Sequence, residues 1–291
     1  APVDRETAQK LAALGYIGAG AVATDSDGAA AARPDPKAMV DAFNRLREAN
    51  TALRERRFTA AAEAARAVLL RDERNAFATM ILARAELETG QYRAAAAGYQ
   101  RYGTLVPTSA DAHHWRAICL SRLGDGDGAI AEEDAALALD PDAAEARVLR
   151  GGLLASRGQA ERALADLRAA VTIAPDAAAF HVGLARVLID TRRLGEADRE
   201  IRRALELQPD NADALAAQGS LLVAQGQFDA ARVAFGRALA RRPDADDVRL
   251  DYAGVLDQLG HGDAARTEYE RLAGGRDTPD AVRREARRRL R

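Results

Sequence analysis

The side chains able to do chemistry are few and scattered. The single cysteine stands in Cys119-Leu120-Ser121-Arg122-Leu123. Alone it can form neither an internal disulfide nor a multi-cysteine metal site. His113 and His114 are neighbours, and adjacent side chains on a helix diverge by roughly 100°, so they cannot chelate one ion together. His181 and His261 stand far along the chain, and all four histidines read as surface or groove residues. Asp125-Gly126-Asp127-Gly128 lacks the third carboxylate and the distal Glu of a calcium loop, and reads as turn chemistry. Gly15-Tyr16-Ile17-Gly18-Ala19-Gly20 has no strand before it and no βαβ unit after it, so it is not a dinucleotide loop. No Ser–His–Asp arrangement follows from the spacing. No catalytic residue, metal or cofactor is therefore expected of this chain.

Composition narrows the classes further. The formal charge of the 291 residues is −2, with no bulk attraction to nucleic acid or membrane. No apolar run reaches the ~18 residues of a membrane span. Aromatic residues make up only 4%, so alanine and leucine must do the packing.

What positions the side chains is a repeat. Pro107, Pro141, Pro175, Pro209 and Pro243 are each 34 residues apart. Extending that step gives units starting at Ala42, Ala76, Ala110, Ala144, Ala178, Ala212 and Asp246. Position 20 of the unit is alanine seven times in seven: Ala61, Ala95, Ala129, Ala163, Ala197, Ala231 and Ala265. Position 8 is always Gly or Ala, from Ala49 to Ala253. Two antiparallel helices can approach backbone to backbone only where side chains are small, so these positions mark where the helices of a pair meet. Bulk falls at position 11 (Leu120, Leu154, Leu188, Leu222, Leu256) and position 24 (Tyr99, Leu167, Ile201, Phe235, Tyr269). Gly90, Gly124, Gly158, Gly226 and Gly260 end the first helix of their units, where positive φ is cheapest as glycine.

A helix–turn–helix unit of 34 residues with small, small, aromatic and proline at these positions resembles the tetratricopeptide repeat. The resemblance covers residues 42–277. It implies an all-α solenoid, a right-handed superhelix of seven helix pairs over residues 36–277 with a C-terminal capping helix at 278–291. The first unit departs from the pattern at Arg56 and Glu73, and the last at Asp277, as terminal units of solenoids do. Asp35 and Pro36 form an N-cap and first position, so the first helix is expected to start at Pro36. At the other end Thr278 can cap, Pro279 can open, and Val282, Ala286 and Leu290 make one apolar stripe.

Residues 1–20 do not fit the repeat and read as a leader or the remnant of an upstream domain; residues 21–35 read as a flexible linker. The apolar run Leu11 to Ala23 mimics a signal peptide but carries Asp4 and Glu6 where positive charge is expected. The alternative is a resemblance. Leu11-Ala12-Ala13-Leu14-Gly15-Tyr16-Ile17-Gly18 is similar to the last segment of bacterial sulfatase-like proteins of the alkaline phosphatase superfamily, some of which continue into tetratricopeptide repeats. Beginning at Ala1, the sequence reads as continuing from something upstream. A sulfatase needs a Cys-x-Pro-x-Arg motif, and the Cys119 segment lacks both the proline and the final arginine, so this chain is not itself that enzyme.

The tetratricopeptide resemblance implies a concave groove lined by first helices. It assigns to that groove Arg47, Asn50, Arg54, Met80, Arg84, His114, Trp115, Ile118 and Arg122, with Phe43, Leu46 and Phe77 beside them. Later units present Val148, Gly152, Ala155, Ala216, Ser220, Asp247, Asp251 and Asp257, which are small or acidic. A basic, aromatic end and a plain or acidic end are thus expected. The bland reading is that Trp115 fills space between units and that Arg84 pairs with Glu88 at i,i+4. Chaperone-tail-binding members share a carboxylate clamp of Lys and Asn, then Asn, then Lys and Arg. Only Asn50 matches it; Leu46, Ile81, Asp111 and Trp115 occupy the other places, so that function is not expected.

The implied function is a non-catalytic scaffold that holds a peptide or protein segment in the groove, with no nucleic-acid partner. The alternative is a structural or dimerisation appendage of a sulfatase-like enzyme with an empty groove. The compartment is periplasmic or secreted if the sulfatase-like resemblance holds, and cytoplasmic otherwise.

Overall fold

The computed structural model describes residues 36–291, with side chains from Val40 onward. The leader or remnant at 1–20 and the linker at 21–35 lie outside the described residues. All regular structure among them is helical, in fifteen helices, and the chain divides into two compact units at Pro141 and Asp142.

The first unit holds α1 (Pro36–Arg54), α2 (Phe58–Leu69), α3 (Ala76–Glu88), α4 (Tyr92–Leu105), α5 (Ala110–Arg122) and α6 (Gly126–Leu139). The second holds α7 (Ala144–Ser156), α8 (Ala160–Ile173), α9 (Ala178–Asp190), α10 (Leu194–Leu207), α11 (Ala212–Ala224), α12 (Phe228–Arg241), α13 (Asp246–Gln258), α14 (Gly262–Gly274) and α15 (Asp280–Arg289). Within each unit, consecutive helices pack as antiparallel pairs. First helices of neighbouring pairs also touch: α1 with α3, α7 with α9, α9 with α11, and α11 with α13. First helices therefore line the inner side of each stack.

Sequence chemistry sets the ends of these helices. Asn75, Ser109, Asp125 and Asn211 each accept a hydrogen bond from a backbone N–H of the first turn. Asp125 is thus an N-cap for α6, which is the turn role its Asp-Gly-Asp-Gly context suggests. The five predicted glycines after first helices all have positive φ, and at the same place in the remaining full turns stand Arg56 (φ 59°) and Arg192 (φ 60°). An L side chain there costs conformational energy that glycine avoids.

The small positions do what close packing requires. All seven alanines at position 20 are fully buried. A Cβ placed on Gly151 would lie 3.3 Å from the Ala163 carbonyl oxygen and 2.9 Å from Leu167, so the two helices touch where the sequence omits bulk. At Gly219 a Cβ would come within 2.6 Å of the Phe235 ring.

A cross-helix ion pair recurs on top of this packing. His113–Glu132 (2.8 Å), His181–Glu200 (2.6 Å) and Arg249–Glu268 (2.8 Å) join the first and second helices of their pairs at one sequence separation. Arg147 stands at the same place opposite Asp166, 3.6 Å away, while Arg150 grips Asp166 through two bonds of 2.7 Å. Here the reading of the histidines as surface or groove residues holds for the exposed His261 and is corrected for the other three. His181 is buried, with Nε2 against the Pro175 carbonyl, and His113 and His114 are half-buried against Glu132 and Glu133. A carboxylate supplied by the facing helix is what lets a polar ring sit there.

The terminal helix packs on α13 and α14, burying Ala286 against Ala253, Leu256, Ala265 and Leu272. It begins at Asp280, with Pro279 in the N-cap place and no side-chain cap, rather than with Thr278 capping. Thr278 is buried instead, and Arg283 ties the turn by donating to the carbonyls of Gly275, Arg276 and Thr278.

Candidate functional site

In the first unit a cavity of about 500 Å³ is lined by Arg54, Met80, Arg84, Glu88, Tyr99 and Trp115, together with Leu53, Arg56 and Phe58. Its centre is Arg84 on α3. The guanidinium carbon lies 4.0 Å from the centre of the Trp115 ring on α5, a cation–π geometry. The same guanidinium bonds Glu88 one turn along at 2.8 Å. The expected i,i+4 pair is present, and it holds the guanidinium over the indole. Tyr99 of α4 stacks beside Trp115 with ring centres 6.4 Å apart.

The Tyr99 hydroxyl is buried and makes no hydrogen bond among the described residues. Burial pushes its ionisation well above the ordinary tyrosine range, with the Arg84 charge opposing. A buried polar atom without a partner is costly. Arg54 and Arg56 line the same cavity and make no ion pair among the described residues. Three arginines against the single Glu88 leave the cavity positive.

Of the nine groove residues expected from the sequence, Arg54, Met80, Arg84 and Trp115 meet here. Arg47, Asn50, His114, Ile118 and Arg122 do not line this cavity. His114 turns to Glu133, a fully buried carboxylate on α6 at the position that other units fill with a large apolar side chain. Leu46 is not a groove residue either; it is buried with Val68 and Ala78. Sequence reasoning missed Tyr99 and Phe58, which come from second helices.

Cys119 is fully buried, and burial pushes its thiol up to about 11, so it is an inert core residue. Among the described residues no group of three or more His, Cys, Asp or Glu is placed to hold a metal ion, and no helix is long and apolar enough to cross a membrane.

Two family models described as tetratricopeptide repeat match the chain, one over residues 46–110, 82–143 and 116–178, the other over 154–221 and 222–283. The chain belongs to the tetratricopeptide repeat family. A search of curated proteins gave no match. Among solved structures, a tetratricopeptide repeat protein from Parabacteroides merdae ATCC 43184 is similar with a TM-score of 0.74 at 13% identity, covering 86% of this chain and 99% of its own. The type IV pilus biogenesis factor PilW is similar at 0.63 and 22%, over 74% of this chain and 98% of its own. YrrB, described as a tetratricopeptide repeat protein with an unusual peptide-binding site, is similar at 0.50 and 20%, over 64% and 95%. At these identities the likeness is one of fold. The Arg84–Trp115 cavity takes Arg54, Arg84 and Trp115 from three successive first helices.

Proposed function

We propose that this tetratricopeptide repeat protein is a non-catalytic interaction module whose first unit holds an extended peptide segment carrying acidic and apolar side chains. The observation that carries the reading is Arg84 lying over Trp115 in one recess with Arg54 and Arg56. A carboxylate entering the cavity would meet Arg54 and Arg56, while an apolar neighbour would pack on Met80 and the indole edge. Aromatic rings and arginines in one recess are what binding hot spots use. YrrB's described peptide-binding site, on a similar fold, supports the class of ligand without naming it. Whether a sulfatase-like domain precedes the chain is a separate proposal resting on residues 11–18.

The test is selection from a random-peptide phage library on the purified chain. Enriched sequences should combine Asp or Glu with an aromatic or aliphatic residue, and a synthetic peptide made from them should lose affinity to Arg54→Glu. Enrichment that ignores charge, or a peptide that binds Arg54→Glu unchanged, would reject the reading in favour of a structural appendage.

A further inference from the structure

The second unit contains a cavity of about 500 Å³ of a different character. Half-buried Phe228 of α12 and Leu250 of α13 line it, with the buried Phe235 and Tyr269 behind them, and Asp251 of α13 and Glu285 of α15 stand among the lining groups. The recess is open because the first helices carry little bulk beside it. A Cβ on Gly254 would meet only the Tyr269 hydroxyl, at 3.9 Å, and Ser220 is the facing residue on α11. A second cavity of about 240 Å³ adjoins it, sharing Ser220 and Asp251 and adding Asp190, Asp247 and Arg186. The two together make a trough along α9, α11, α13 and α15.

Charge in the trough is unbalanced. Its two cations are already engaged: Arg289 by Glu285 at 3.0 Å, and Arg186 by Asp213 at 3.1 Å. Asp190, Asp247 and Asp251 make no ion pair among the described residues. Asp251 keeps solvent access, yet the surrounding helices displace much of its water and Asp247 sits one turn away. Together these push its carboxyl up to about 6, with Arg186 opposing. A carboxylate strained in this way gains more from an incoming cation than a fully hydrated one does.

We infer that this trough is a second binding site, which takes an extended basic segment of a partner protein by inserting a lysine or arginine side chain past Phe228 onto Asp251, Glu285 being already held by Arg288 and Arg289. The aliphatic stem would lie on Phe228 and Leu250 and the charge would meet the Asp251 carboxylate. Two adjoining cavities with acids in both suit an extended segment; a small amine would fill one and leave Asp190 and Asp247 unanswered. The site is distinct in residues and in charge from the cavity of the first unit, so either can fail without the other.

The same phage selection tests it on the full chain. A second class of enriched sequences, rich in Lys or Arg with aliphatic neighbours, is expected. By fluorescence anisotropy a synthetic peptide of that class should bind Asp251→Asn at least roughly tenfold more weakly and Trp115→Ala with unchanged affinity. Gly254→Met, which fills the cavity from an open helix position, should also abolish binding while thermal unfolding stays cooperative, so lost binding is not confused with lost folding. No basic class, or a basic peptide indifferent to Asp251→Asn and Gly254→Met, would overturn the proposal. So would spermidine that binds the trough when no displayed peptide does.

Discussion

The two cavities occupy corresponding surfaces of their units and differ mainly in what the first helices place there. In the first unit the inner face carries Arg54, Arg84 and Trp115, so the recess is basic and its aromatic ring stands at the wall. In the second it carries Ser220, Gly254 and Asp251, so the recess is acidic and its aromatic rings, Phe235 and Tyr269, belong to the helices behind. The lesson is that one repeat geometry carries recesses of opposite charge. The contacts between helices fix the backbone, and the inward first-helix positions, freed from packing, choose the charge.

The sharpest way to break this comparison is to remove the first recess alone. Trp115→Ala with Arg84→Ala should abolish capture of the acidic peptide class, by roughly 100-fold or more for a central hot spot. Binding of the basic class and the melting temperature should stay within error. Loss of both classes in titrations would show that the recesses are not independent.

Next in size is a contrast between two glycines of the second unit. Gly219→Ala drives a methyl into the Phe235 ring and should destabilise by about 1–3 kcal/mol. Gly254→Ala meets only an ordinary contact and should gain up to about 1 kcal/mol from helix propensity. Denaturant melts of both variants check the sign of each.

Acidification should separate the recesses. Asp251, raised to about 6 against its own-helix neighbour Asp247 and facing Arg186 and Asp190 from α9, loses its charge as pH falls through that value. Basic-peptide binding should weaken several-fold between pH 7.5 and 5, roughly the span over which such a carboxyl titrates. The stability sign runs the other way. A carboxyl with a raised folded pKa destabilises the fold when charged, so Asp251→Asn should raise the melting temperature above pH 6 and lose that advantage by about pH 4.

The smallest expected effect is at a turn. Arg192→Gly relieves a positive φ and should stabilise by about 1 kcal/mol, provided the long bond from Arg192 to the Ala224 carbonyl contributes little. A differential scan against Gly158→Ala, which imposes the strain where none exists, makes the comparison reciprocal.

Much of the fold was legible because it rests on one local rule. Ala61 through Ala265 recur because a helix pair cannot close over anything larger, and each is fully buried. Of the residues lining the first recess, Arg54, Met80, Arg84 and Trp115 were legible because they sit at inward first-helix positions. The rest were not, for two reasons. Tyr99, Phe58 and Phe235 reach the recesses from second helices, through gaps left by small first-helix residues, which a first-helix rule overlooks. His113, His114 and His181 looked like groove residues until their carboxylates were seen. A signal was present, since His113–Glu132, His181–Glu200 and Arg249–Glu268 share one separation along the chain. Reading it requires knowing which faces of a pair oppose.

The amino-acid sequence by itself determined the helices, their pairing and the ends of their turns, because these depend on side-chain size and backbone freedom repeated at a constant step. Only the tertiary structure decided which charges remain available. Arg84 is bonded to Glu88 yet lies on Trp115, Arg289 is held by Glu285, and Asp251 is left unanswered beside Asp247. Electrostatic pairing falls off over a few ångströms, and distances that short between separate helices are set by the packed molecule rather than by position in the chain.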